Sequence, residues 1–300
     1  MNKNLKKNIT LNFHDLSKSD IKFKLNRFPD GEVQVTDLET EKLAENMNFI
    51  MPIRNAEELF IFVQIMGLIH KSIHKTNIII PYLMGARNDR VMAPGRSATL
   101  FEVLWVISNN LFPLDKLTFI TIHNEEAVGE WFESDKLQLD KELDLENLRI
   151  NFVMPYPNFK TNENEMVVFP DKGAERRFKH LVDGPYLVSE KVRDVNQAQS
   201  RILTYELLNP MNYDLKKIKK IYVLDDLVDG GNTFKLLSSA LHKELTDSEF
   251  SLELYLTHFI QEEGLLSLTE YYDTIYVCDT FRPIPTNINI RKLKEIEDMI

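Results

Sequence analysis

Residues Ile221–Thr233, reading IYVLDDLVDGGNT, leave few folds open to this chain. Ile221, Tyr222, Val223 and Leu224 make a short apolar strand, and Asp225 and Asp226 are expected to close it. A loop of Asp229, Gly230, Gly231, Asn232 and Thr233 then leads into a helical pattern from Phe234. An uninterrupted apolar strand of this kind belongs in a parallel sheet covered on both faces. A glycine-bearing loop between such a strand and a helix offers backbone amides and the positive end of the helix dipole, which together seat a phosphate. Adjacent carboxylates accept hydrogen bonds from sugar hydroxyls. An ordinary αβ turn also uses Gly and Asp, but paired acids, a third Asp and a Thr at these spacings favour a sugar phosphate.

The rest of the chain repeats the alternation. Strands are expected at Asn48–Ile53, Asn77–Leu83, Leu117–His123, Met166–Phe169, Tyr186–Val192, Ile221–Asp225, Leu252–Phe259 and Thr274–Cys278. Helices are expected at Ala56–His74, Ala98–Asn110, Ala127–Phe132, Glu175–Leu181, Phe234–Leu245 and Glu262–Tyr271. Apolar strands separated by helices give the α/β class with mainly parallel sheet. Charged and Asn residues interrupt the pattern between Asp135 and Glu165, so one domain is expected over residues 1–150 and a second, of similar build, over 151–300. The polar stretch Asp194–Lys220 reads as a projecting arm or mobile loop, and Ile290–Ile300 as a short amphipathic helix.

Composition narrows the function. A net charge of −10 argues against a general nucleic-acid binder, which would be basic. It leaves room for a local cationic phosphate site. The one cysteine, Cys278, excludes an intrachain disulfide and a cysteine metal cluster. The most apolar run, Leu59–Ile69, contains Gln64 and is flanked by charges, as in a buried helix and unlike a membrane span. The N-terminus lacks the apolar core of a signal peptide, so a cytoplasmic protein is expected.

Five further groups carry chemistry. Arg87, Asn88, Asp89 and Arg90 follow the strand ending at Leu83, with Arg96 close behind. Ligands of open α/β sheets lie beyond the carboxyl ends of strands, and planar guanidinium groups grip phosphate oxygens in pairs; a solvated surface loop is the plainer alternative. His123 ends another expected strand and could meet a metal ion or a phosphate. Asp171 follows Val167–Pro170 and could coordinate Mg²⁺, which takes carboxylates together with phosphate and water oxygens. Lys191 and Arg193 alternate along a strand, so they share a face and could neutralise a migrating phosphoryl group, although edge strands also carry charges against aggregation. Phe28-Pro29-Asp30-Gly31-Glu32 is a turn with an aromatic fit for stacking on a base and two acids fit for an exocyclic amine.

In this order, the segments resemble the ribose-phosphate diphosphokinase (PRPP synthetase) family. RFPDGEVQV at Arg27–Val35 is similar to the family's adenine-binding turn. IPYLMGARNDR at Ile80–Arg90 resembles its ATP-contacting segment, and TIHNEEAVGEWF at Thr121–Phe132 the segment with its metal-linked histidine. VVFPDKGAERR at Val167–Arg177 resembles the segment with its metal-linked Asp, and VLDDLVDGGNT its ribose-phosphate loop. Lys191 and Arg193 match its catalytic Lys-x-Arg pair.

The resemblance implies two tandem type I phosphoribosyltransferase-like domains, the ATP side in 1–150 and the ribose-phosphate loop in 151–300. It implies Mg²⁺-dependent transfer of the β,γ-diphosphate of ATP to the 1-hydroxyl of a ribose 5-phosphate group, in the service of nucleotide biosynthesis. On that pattern Phe28, Asp30, Gly31, Glu32, Arg87, Asn88, Asp89 and Arg90 hold ATP, while Asp225, Asp226 and the loop Asp229–Thr233 hold the acceptor. His123 and Asp171 place metal ions, and Lys191 and Arg193 are catalytic. The family's adenine site lies at a subunit interface, so a homo-oligomer is implied.

The departures matter. Thr121 stands where the family often has an acid, Asn88 replaces a Gln, and the loop reads Asp-Gly-Gly-Asn-Thr in place of Asp-Thr-Ala-Gly-Thr. A loop without a side chain at Gly230 has room for a larger 5-phosphoribosyl acceptor, such as ADP-ribose. A phosphoribosyltransferase would share the acid loop but has no need of the arginine group, the turn or the Lys191/Arg193 pair. A non-catalytic regulatory homologue is argued against by the intact Lys191 and Arg193.

Overall fold

The computed structural model describes residues 9–43, 47–71, 76–91, 93–111, 115–134, 148–193, 202–245 and 249–299, the side chains of 191–193 and 202–204 excepted. The chain divides between Val153 and Met154 into two units, each with its own sheet.

The first unit contains β1 (Ile9–Asn12), β2 (Lys24–Arg27), β3 (Val33–Thr36), β4 (Met47–Ile50), α1 (Ala56–Ile69), β5 (Thr76–Ile80), α2 (Thr99–Ser108), β6 (Lys116–Ile120), α3 (Glu125–Glu133) and β7 (Arg149–Val153). A five-stranded sheet has the order β1-β4-β5-β6-β7, parallel throughout. α1 buries Ile61, Phe62, Ile65, Met66 and Ile69, the three-and-four spacing of one helical face. Phe62 stacks on Phe49 of β4 at 5.9 Å. Gln64, which interrupts the apolar run of α1, has a use: its side chain accepts from Val35 N–H and donates to Val33 O, each at 2.9 Å, so it satisfies the edge of the antiparallel β2–β3 hairpin.

The second unit contains β8 (Phe159–Lys160), β9 (Glu165–Phe169), α4 (Lys172–Phe178), β10 (Val182–Asp183), β11 (Tyr186–Arg193), β12 (Ile202–Leu208), β13 (Lys220–Val228), α5 (Asn232–Glu244), β14 (Ser251–Phe259), α6 (Glu262–Leu266), β15 (Thr274–Val277) and β16 (Ile290–Lys292). Its seven-stranded sheet runs β12-β11-β9-β13-β14-β15-β16, and only the edge pair β11–β12 is antiparallel. Apolar side chains cover both faces. Val223, Leu237, Leu241 and Leu254 belong to one core, and Val167, Phe178, Leu224 and Tyr255 to the other.

Several expected elements end elsewhere, for local reasons. The acids do not close β13. Its pairing with β14 continues to Val228↔Phe259, so Asp225 and Asp226 lie inside the strand. β6 stops at Ile120 because Thr121 turns to φ 43°, so His123 stands three residues beyond the strand and not at its end. α3 and α4 begin earlier than periodicity predicts, at caps provided by Asn124 and Asp171. Part of Asp194–Lys220 is no arm: β12 returns antiparallel to β11. The expected terminal helix is instead β16, paired with β15, followed by a single 3₁₀ turn at Ile296–Met299.

Candidate functional site

Strand order marks out a candidate site in the second unit. From β9 the chain first crosses to β11 on one side and later to β13 on the other, so the winding direction reverses beside β9. Ligands of open α/β sheets sit at such a reversal, beyond the carboxyl ends of the strands. Asp171 follows β9 there, and Asp225, Asp226 and the glycine loop belong to β13 and its exit.

Asp225 and Asp226 are buried, at 9% and 5% exposure. Two carboxylates this dry need a counter-charge, and Arg177 of α4 supplies it. One guanidinium nitrogen donates to Asp225 Oδ1 at 3.0 Å and to Asp226 Oδ1 at 3.2 Å. Burial opposes the arginine's charge, but Asp226, Asp225 and Asp171 outweigh it and push its pKa up. Burial first, then the charge of Asp226, holds the Asp225 carboxyl well above the usual carboxylate range, and Arg177 only partly offsets this. Asp226 N–H also donates to Asp225 Oδ1 at 2.9 Å. Arg177 is the residue that sequence reading missed. It stands in the quoted Val167–Arg177 segment, and its signal was an arginine six positions after Asp171, under two helical turns from the cap.

Asp171 caps α4, its Oδ1 accepting from Ala174 N–H at 2.9 Å. Asn55 and Asn124 cap α1 and α3 in the same way. α5 differs from these three: its N-cap is Gly231 and no side chain caps it, as is also the case for α2 and α6, and its Phe234 N–H turns back to Gly231 O at 3.1 Å. Gly231 is at φ +81°, and a Cβ there would meet Gly264 O at 2.9 Å. Gly264 in turn leaves no space for a side chain, since its Cβ would fall 2.1 Å from Asp229 O. The loop is thus pressed against the start of α6, and Gln261 Nε2 donates to Asp229 Oδ1 at 2.8 Å. Asp229, Gly230 and Asn232 are exposed, Thr233 half-buried. Asn232 and Thr233, expected in the loop, are the first residues of the helix.

Apart from Lys191 and Arg193, the remaining residues singled out in sequence lie in two places in the first unit. Arg87, Asn88 and Arg90 are exposed, and Asn88 O accepts the α2 amide of Leu100 at 3.2 Å. Asp89 Oδ2 accepts from Asn124 Nδ2 at 2.6 Å, which brings the arginine segment together with the His123 turn. The positive φ of Thr121, a β-branched residue, marks that turn as strained. Phe28, Asp30, Gly31 and Glu32 form the exposed tip of the β2–β3 hairpin, and Phe28 is 43% exposed. The hairpin is tied to the first turn of α1 by Arg27 and Glu57, paired through both nitrogens at 2.7 and 2.6 Å.

Lys191 and Arg193 lie in β11 opposite Tyr205 and Ile202, with a register slip between Val192 and Arg193. Their side chains are outside the described residues. A cavity of about 390 Å³, lined by Ser238, His242, Phe250 and Tyr271, lies toward the other end of α5 and includes none of these residues.

No protein-family model matches the chain. Individual relatives do. A ribose-phosphate pyrophosphokinase of Pyrococcus furiosus is 26% identical over 272 residues, covering 88% of this chain and 87% of its own. One from Pyrococcus abyssi is 25% identical over 275 residues, covering 90% and 86%. This chain resembles the ribose-phosphate pyrophosphokinases over most of its length. The crystal structure of phosphoribosylpyrophosphate synthetase from Mycobacterium smegmatis matches 93% of the chain at a TM-score of 0.65 and 15% identity. The fold is therefore that of two tandem type I phosphoribosyltransferase-like domains, as the pyrophosphokinase resemblance implied.

Proposed function

We propose that the protein is a ribose-phosphate diphosphokinase. It transfers the β,γ-diphosphate of ATP to the 1-hydroxyl of ribose 5-phosphate. The observation that carries this reading is the conjunction of near-full-length similarity to ribose-phosphate pyrophosphokinases with the acid pair and uncapped α5 at the switch point.

The 5-phosphate sits on the amides of Gly230–Thr233, where the α5 dipole favours an anion, and Thr233 offers its hydroxyl. Asp225 and Asp226 accept from the ring hydroxyls, with Arg177 holding both carboxylates in place. The acceptor's 1-oxygen attacks the β-phosphorus, the bond from β-phosphorus to the bridging oxygen breaks, and AMP leaves with that oxygen while the hydroxyl proton is lost. Lys191 and Arg193 neutralise the charge on the transferring group. Arg87, Asn88, Asp89 and Arg90 grip the nucleotide phosphates, and the Phe28–Glu32 turn takes the adenine.

Among the described residues no group of three or more His, Cys, Asp or Glu could hold a metal ion. Mg²⁺ entering with the nucleotide would keep water and phosphate oxygens and need one or two carboxylates. Asp171 of the second unit, its carboxylate fixed by the α4 cap, and His123 of the first are each a group that would receive such an ion. It would supply neutralisation of the negative charge on the transferring diphosphate.

A homo-oligomer completing the adenine site, and a cytoplasmic setting, belong to the same proposal. No helix among the described residues is long and apolar enough to cross a membrane. Incubation with ATP, Mg²⁺ and ribose 5-phosphate is expected to release AMP and a product heavier by one diphosphate, read by mass spectrometry. Release of ADP, or no reaction, would refute the proposal.

Gly230 favours a second reading, the same chemistry on a larger acceptor such as ADP-ribose. A Cβ at Gly230 would have nothing within 4 Å, and its φ is not positive, so neither packing nor backbone requires glycine here. Its absence of side chain leaves open space beside the 5-phosphate seat. Gly230→Thr is expected to lower turnover on ADP-ribose about tenfold relative to ribose 5-phosphate, the scale of one steric mismatch in a pocket. A wild-type protein inert toward ADP-ribose would end this reading.

A further inference from the structure

Beneath the acid pair lies a buried chain of hydroxyls. Tyr156, 8% exposed, donates its phenolic proton to the backbone carbonyl of Asp225 at 2.6 Å and accepts from Thr257 Oγ1 at 2.7 Å. Thr280 Oγ1 donates to Thr257 O at 3.1 Å and lies 2.7 Å from His258 Nδ1. Thr257, His258 and Thr280 are all buried.

The pairing of β13 with β14 passes from Asp225↔Leu256 to Leu227↔His258, and the Tyr156 hydroxyl bridges the two strands at that step. The same ring packs edge-on against Phe178 at 5.1 Å, next to Arg177. One tyrosine therefore touches the strand that carries the acids, the strand beside it and the helix that supplies their counter-charge. Burial pushes its pKa well above the ordinary tyrosine value, so it remains a donor.

We infer that Tyr156 is a positioning residue for the acceptor: it sets where the Asp225 and Asp226 carboxylates leave the sheet relative to Arg177 and the loop. This rests on the reading of that loop as the ribose-phosphate seat. A tyrosine that served stability alone would lower the melting temperature and leave substrate affinities alone. A positioning tyrosine weakens the acceptor and spares the nucleotide.

The test combines calorimetric titration of ribose 5-phosphate with steady-state AMP release. Tyr156→Phe is expected to raise the dissociation constant and KM for ribose 5-phosphate about three- to tenfold, the range of one neutral hydrogen bond. KM for ATP should stay within about twofold, because the loss is confined to acceptor binding. Thr257→Val removes the support behind Tyr156, keeps the ring and should give a smaller shift in the same direction. It serves as the readout if Tyr156→Phe fails to fold. Tyr222→Phe, which removes a bond to Glu165 Oε1 of 3.1 Å nearer the start of β13, should leave the acceptor constant unmoved.

Unchanged acceptor affinity in folded Tyr156→Phe and Thr257→Val, or equal weakening of ATP, overturns the inference. Binding of ribose 5-phosphate to wild type without turnover overturns the diphosphokinase reading alone. No binding to wild type overturns both.

Discussion

Replacing Arg177 with methionine is expected to cost roughly 3–5 kcal/mol of folding stability, the range for a buried charge left without its partner. Methionine fills much of the same space, so the loss is electrostatic. Asp225 and Asp226 share that one guanidinium nitrogen at 3.0 and 3.2 Å, and both are largely shielded from water. Measured against the roughly 5–15 kcal/mol that holds typical domains together, the effect is large enough to shift a thermal or urea transition by itself.

The loss should depend on pH, in a direction that follows from the proton count. Asp225 already holds its proton more tightly in the fold than at its ordinary value of 3.8, because of burial and Asp226. Without Arg177 the affinity rises further. A folded state that binds more protons than the unfolded one is favoured at low pH and loses stability as pH rises through the folded pKa. The deficit of Arg177→Met should therefore shrink toward pH 4 and widen toward pH 8. A deficit that is flat with pH, or grows on acidification, would show that the acids are not the groups left unpaired. Acceptor affinity should fall too, since the carboxylates lose the group that orients them.

Lys191→Ala is expected to lower kcat by roughly 10²–10³-fold or more, the scale for removing one preorganised charge from a transition state. KM for ATP should change little, because a group acting only as charge develops does not contribute to ground-state binding. The chain carries a net charge of −10, and the proposed reaction gathers several phosphate charges in one place. A cation in β11, the strand next to β9 at the topological reversal, is suited to offset them. Single-turnover AMP release with saturating ATP and acceptor measures the chemical step directly. Near-full turnover in Lys191→Ala would remove Lys191 from the catalytic assignment.

What could be read in the chain itself was local. Uninterrupted apolar strands such as Ile221–Leu224 and helical faces such as Ile61–Ile69 depend on spacings of a few residues, and those spacings specify a parallel α/β fold. The acids, the glycine loop and the helix after them are contiguous, so their succession was legible too. Strand ends were less so, because pairing with a neighbour and not side-chain polarity carries β13 past Asp225 to Val228.

Only the tertiary structure decided what surrounds the acids. Arg177 meets Asp225 from 48 residues away, and Tyr156 and Thr257 meet across 101. Such contacts follow from the order and register of β9, β13 and β14, and no period in the sequence records them. Gly264 shows the same limit: in the sequence it falls inside an expected helix, yet glycine is required because Asp229 O lies 2.1 Å from where its Cβ would be. Composition and spacing determined which elements form. The burial of charge, and hence the need for Arg177 and the hydroxyl chain below it, arose only when the strands came to lie side by side and excluded water.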